Sequence, residues 1–200
     1  DEAARILAQA AADRLEEVFP WDDAPTADFV RRLRSLSGWM PELELPRFDD
    51  EGLSALLPTV AFGCRSFDEL RKAPWLAHLQ AILTPPQRQT VEREAPERIE
   101  VPSGSRIKLH YEPGKSPVLA VRIQEIFGLL ETPRVACGRV PVLLHLLGPN
   151  MRAQQVTDDL ASFWRTTYHQ IRKDLRRRYP KHAWPEDPYQ ATAQRRPKQK

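Results

Sequence analysis

Apolar positions in the first half of the chain recur at helical spacing and are repeatedly interrupted by proline or glycine. Glu2 to Val18 carries Ile6, Leu7, Ala10, Leu15 and Val18 at that spacing among good helix formers, and Phe19-Pro20-Trp21 ends it. Thr26 or Asp28 can cap a second helix, in which Phe29, Val30, Leu33 and Leu36 share a face and Gly38 closes the run. Pro41 to Asp50 reads as an acidic loop. Asp50 or Glu51 then opens a third helix through Leu53, Leu56 and Leu57, expected to break at Pro58. Ser66-Phe67-Asp68-Glu69 has the form of a capping box. Trp75 to Leu83 and Gln87 to Ala95, the latter opened by Pro85-Pro86, complete a predicted bundle of short helices.

The period changes near Glu97. Arg98 to Val101 and Arg106 to Tyr111 alternate polar and apolar residues around Pro102-Ser103-Gly104, which predicts a β-hairpin. Pro117 to Val121 reads as a third strand, Arg122 to Leu130 as a helix, and Pro141 to Leu147 as a buried strand. A long helix is predicted from Thr157 to Tyr179, with an apolar stripe of Val156, Leu160, Trp164, Thr167, Ile171 and Leu175. Arg165, His169, Arg172 and Arg176 step along a flank of that stripe, and Lys173, Arg177, Arg178 and Lys181 extend the basic face. The expected fold class is therefore α+β. A helical subdomain (1–97) precedes a small antiparallel sheet with packed helices (98–188), and a disordered basic tail (189–200) follows.

Charge changes the picture. Residues 1–100 carry 12 Lys/Arg against 19 Asp/Glu, a balance of −7, whereas residues 101–200 carry 18 against 8, a balance of +10. Such asymmetry suggests an acidic half facing solvent or protein and a basic half facing a polyanion. A chain of 200 residues accommodates one sizeable domain or two small ones. It has no apolar run of about eighteen residues that could span a membrane. Asp1 is not methionine and no signal segment follows it, so the chain reads as a fragment or processed product. Cys64 and Cys137 read as two small buried thiols of a reducing cytoplasm.

Candidate catalytic chemistry is thin. Gly114-Lys115-Ser116 has the end of a phosphate-binding loop, but the motif's earlier glycine position is Leu109 and Pro117 stands where a helix must begin. The sequence contains no HExxH, GxSxG or GxGxxG motif, and its five histidines are scattered. The basic helix is the strongest signal. Its candidate nucleic-acid contacts are Arg165, His169, Arg172, Lys173, Arg176, Arg177, Arg178 and Lys181, because clustered one-sided cations bind phosphate. The tail adds Arg195, Arg196, Lys198 and Lys200.

Several stretches carry a family resemblance. Val101-Pro102-Ser103-Gly104-Ser105-Arg106-Ile107, Leu119 to Gly128, Thr132-Pro133-Arg134, Gly138-Arg139-Val140-Pro141, Gln155 to Leu160 and Phe163-Trp164 resemble the carboxy-terminal region of HrpB-type bacterial DEAH-box ATP-dependent RNA helicases. The most specific stretch runs from Arg172 to Pro188 and ends Trp184-Pro185-Glu186-Asp187-Pro188. The resemblance implies a parent hydrolase driven along RNA by two RecA-like domains, with ATP and Mg bound there and no cofactor in this fragment. No catalytic residue of the family maps onto this sequence. The expected function is a non-catalytic accessory region whose partners are RNA or single-stranded nucleic acid and the parent's helicase core. The alternative is a protein–protein docking module, motivated by the acidic, proline-edged half.

Overall fold

A computed structural model describes residues 2–195. The chain divides into two compact units. One comprises the residues up to Ala95 with Glu112–Gly114, and the other Pro96–Tyr111 with the residues from Lys115 onward.

The first unit is the bundle of short helices that the periodicity predicts: α1 (Glu2–Ala12), α2 (Leu15–Val18), α3 (Ala24–Trp39), α4 (Asp50–Val60), α5 (Phe67–Arg71), α6 (Trp75–Ala81) and α7 (Pro85–Glu94). Side-chain caps start most of them. Asp23 accepts from the Thr26 amide, Asp49 from Gly52, Ser66 from Glu69, and Thr84 forms a reciprocal box with Gln87. The expected helix from Glu2 to Val18 is broken between Ala12 and Leu15. There Arg14 leaves helical geometry, pairs with Glu17 and lies over the Phe67 ring, while Val18 and Phe19 turn into the core. Phe19 packs edge-on against Trp75 at 5.0 Å between centroids. Pro58 does not break α4. It stands in the last turn, and the helix forgoes only the donor that proline lacks. Gly52 is required for steric reasons, since a Cβ there would lie 2.1 Å from the Arg47 carbonyl oxygen. Arg32 is buried and clamps α3 to α7, donating to the Ala95 carbonyl and to Glu92 at 2.6 Å.

The second unit holds a five-stranded sheet in the order β1 (Arg98–Glu100), β2 (Arg106–His110), β3 (Val118–Arg122), β6 (Leu143–Leu147), β7 (Ala153–Thr157), with a separate hairpin of β4 (Arg134–Val135) and β5 (Val140–Pro141). The sheet is mixed rather than wholly antiparallel. β3 pairs with β6 in parallel, Leu119 opposite Leu144 and Val121 opposite Leu146, because the chain crosses over between them. Those four side chains are buried, as alternate positions along each strand point to one face of the sheet. The helix expected from Arg122 to Leu130 is a single 3-10 turn, Ile123–Glu125. Ile123, Ile126 and Phe127 are all buried, and the chain turns at Gly128, whose φ is +83° and whose amide donates to Pro188. β7 replaces the expected helical start, so Val156 is an exposed strand residue and not part of a buried stripe.

Residues 189–195 lie within the segment read from sequence as a disordered tail, yet they bond to the second unit. Gln194 donates to the Gln124 carbonyl at 2.8 Å, Arg122 to the Arg195 carbonyl at 2.6 Å, and Arg195 to the Ser103 carbonyl at 3.0 Å. Arg196, Lys198 and Lys200 lie outside the described residues. No helix among the described residues is long and apolar enough to cross a membrane.

Candidate nucleic-acid interface

The basic helix is built in three parts. Asp159 caps α8 (Leu160–Ser162) by accepting from the Ser162 amide at 2.8 Å. A π-helical turn, Phe163–Thr167, leads into α9 (Tyr168–Arg178). The wider turn lets Phe163 and Tyr168 meet across five positions, with centroids 6.2 Å apart. Phe127, Phe163, Trp164 and Tyr168 form one aromatic cluster with edge and tilted contacts. Each polar handle finds a carbonyl: Trp164 Nε1 donates to Leu129 and Tyr168 Oη to Pro185, both at 2.8 Å. Burial pushes the Tyr168 phenol well above its ordinary value, against the opposing charge of Arg172. The helix ends with Arg176, Arg177 and Arg178 in its last turn, where cations offset the negative end of the helix dipole.

Leu160, Trp164, Tyr168 and Leu175 form the buried stripe, with Ile171 half-buried beside them. Of the predicted contact residues, Arg165, His169, Lys173, Arg176, Arg177, Arg178 and Lys181 are exposed. At about 100° per residue, His169, Lys173 and Arg176 fall within an arc of roughly 60°. Arg178 falls on the other side of the buried stripe. Arg177 has Asp174 at 3.8 Å. No acid among the described residues pairs with Arg165, Lys173, Arg176, Arg178 or Lys181.

Arg172 is placed differently. Its side chain is only 15% exposed, Nε donates to the Trp184 carbonyl at 2.8 Å, and Glu186 lies 3.3 Å from its Nη2. Trp184 is itself buried and donates to the Tyr179 carbonyl at 3.0 Å. Arg172 therefore staples the segment after the helix back onto α9.

A polar cluster elsewhere in the unit has almost no signature in the sequence. Ser103 and Ser105 bond to each other at 3.1 Å, Ser103 donates to Glu125 at 3.0 Å, and Arg122 pairs with Glu125 at 2.8 Å. Burial raises the Glu125 carboxyl, but the bonds from Ser105, Arg122 and Ser103 outweigh it and hold the carboxyl below its usual range. The only sequence signal is the i, i+3 spacing of Arg122 and Glu125. Cys64 is half-buried and Cys137 exposed, so the expectation of two buried thiols is corrected. Cys137 sits in a turn with φ +53°, which presents its side chain outward. Among the described residues, no group of three or more His, Cys, Asp or Glu could hold a metal ion.

Known proteins share this architecture. Residues 56–188 match the family described as ATP-dependent helicase C-terminal. The ATP-dependent RNA helicase HrpB of Escherichia coli K12 is 37% identical over 99% of this chain, which spans about a quarter (25%) of that protein's length. The crystal structure of the E. coli DExH-box NTPase HrpB superposes with a TM-score of 0.87 at 36% identity, covering 94% of this chain and 24% of that one. A second crystal structure, of the E. coli DEAH/RHA helicase HrpB, gives 0.76 over 92% of this chain and 24% of that one, again at 36% identity. The chain thus belongs to the C-terminal family of HrpB-type DEAH-box ATP-dependent RNA helicases.

Proposed function

We propose that this region, a non-catalytic accessory part of an HrpB-type helicase, supplies an RNA grip through the outward face of α9. The observation that carries the reading is the row of exposed basic side chains, Arg165, His169, Lys173 and Arg176, continued by Arg177 and Lys181, on a helix whose opposite stripe is buried. A fixed helix holding cations outward can meet successive phosphates and release their counterions, which gives affinity without sequence choice. Arg172 is a positioning residue in this scheme, because it holds the returning segment against the helix and leaves its neighbours free. ATP and Mg, and the motor that uses them, belong to the rest of the parent protein.

The test is fluorescence anisotropy of a labelled single-stranded RNA across a salt series. Combined Lys173→Glu, Arg176→Glu and Arg177→Glu should weaken binding and flatten the salt dependence by about 0.7 in slope for each phosphate that no longer meets a cation. If affinity and slope both match the wild type, the grip lies elsewhere and the reading fails.

A further inference from the structure

The first unit carries a surface that the basic helix does not use. α1 buries Ala4, Ala8 and Ala11, one residue per turn, and contacts α4. Alanines let the two helices approach closely but leave the channel between them unfilled. The result is a groove of about 340 Å³ lined chiefly by Ala4, Ala8, Leu57, Pro58 and Phe62, with Arg5, paired to Glu2, and Gln9 at its edge. Phe62 stands at this groove 75% exposed, an unusual setting for a large aromatic side chain.

The groove continues. A second hollow of about 630 Å³ shares Ala12 and Ser54 with the first and is lined by Asp13, Glu16, Glu17, Asp50 and Glu51, with Arg14 the one base. Three of these acids pair with arginines: Glu17 with Arg14, Asp50 with Arg34 and Glu51 with Arg47. The acid side chains in these pairs are exposed, so the pairs are screened by water and readily exchanged for another cation. At the join, Pro58 has no N–H, so the Ser54 carbonyl lacks its usual donor four residues on. The groove is thus mainly apolar at one end, where the charge of Arg5 is met by Glu2, and acidic at the other, with a carbonyl acceptor between.

We infer that this groove docks a basic amphipathic peptide segment, its apolar side chains against Phe62 and the alanine floor, its Lys or Arg over Asp13 and Glu16. Helix-in-groove recognition uses this arrangement. Asp13 and Glu16, the two acids of the hollow without an arginine partner among the described residues, repel RNA and anionic lipid. A second copy of this chain does not fit, because its basic amphipathic helix buries its apolar stripe in its own core. The inference stands apart from the RNA grip, which lies in the other unit.

The probe is a fluorescein-labelled peptide of about fifteen residues, with leucines at i and i+4 followed by a run of lysines. A control peptide carries glutamates in place of the lysines. The lysine peptide should bind and the glutamate peptide should not. Phe62→Ala should weaken binding by about tenfold or more, and its high exposure keeps it from the core. Combined Asp13→Lys and Glu16→Lys should weaken binding similarly and reduce its salt dependence. Lys173→Glu with Arg176→Glu should leave peptide binding unchanged, which separates this site from the RNA reading. Absence of binding by the lysine peptide, or binding indifferent to Phe62→Ala or to the charge reversals, overturns the inference. So does a Phe62-dependent dimer in sedimentation.

Discussion

Two neighbouring regions on one flank of α9 carry the same kind of side chain and put it to different ends. Nearest the buried stripe, Arg172 is folded inward, bonded to Trp184 and Glu186, so that its charge serves the fold. Farther from the stripe, Lys173 and Arg176 project into solvent without an acid partner among the described residues, so that their charge is available to a ligand. Arg172 and Arg176 are one turn apart, so periodicity assigns them to the same row. What separates them is the returning chain, which covers Arg172 and leaves Arg176 bare. A cation's role on a helix is set by what lies across from it.

The largest blow to this arrangement is the loss of the aromatic floor beneath the helix. Trp164→Ala should destabilise the second unit by about 3–5 kcal/mol, measured by urea unfolding. RNA affinity should then fall only as far as the folded fraction falls. Arg172→Ala should cost about 1–3 kcal/mol, because the Trp184 carbonyl and Glu186 lose a charged donor. It should also speed proteolysis after Pro180 and leave the salt slope of RNA binding intact. If it instead lowers that slope as Arg176→Glu is expected to, the two positions are not distinct. Tyr168→Phe removes the bond to Pro185 and should cost about 0.5–1.5 kcal/mol. Its pH signature is sharper. The folded phenol is raised above the unfolded value, so its contribution is complete below about pH 10 and is lost as pH rises beyond that. The variant's stability should therefore decline less steeply in base. The smallest effect on the fold is expected from Lys173→Glu with Arg176→Glu. Stability should stay within about 0.5 kcal/mol of wild type, while RNA binding weakens.

Much of the scaffold is legible where the signal is local. Ser66 and Glu69 announce a cap, and Pro85-Pro86 opens a helix, because both depend on neighbours within one turn. Ile123, Ile126, Phe127 and Leu130 have helical spacing but serve a turn, in which the first three are buried and Leu130 is exposed, an outcome dictated by distant partners and by Gly128. Val156 is in phase with the helix that follows and is nevertheless paired with His145 in a strand. Spacing alone places Lys173 and Arg176 on an outward face, but it does not tell Arg172 from its neighbours. The partners of Arg172 are twelve and fourteen residues away, and the only clue is an acid beside an aromatic at Trp184-Pro185-Glu186. The groove between α1 and α4 has no sequence signature, because alanines that pack closely look the same as alanines that merely favour helix.

The parallel pairing of β3 with β6 has a consequence for how the sheet assembles. β1, β2 and β3 are antiparallel neighbours, as are β6 and β7, so each group can close through short local connections. The seam between them waits until the twenty residues 123–142 have been laid across. Non-local parallel pairing of this kind is the slow step of sheet formation. Slowing that crossover, for instance by loosening the packing of Ile126 and Phe127, should delay the joining of two preformed pieces, and amide exchange at the seam should report on their separation before either piece unravels.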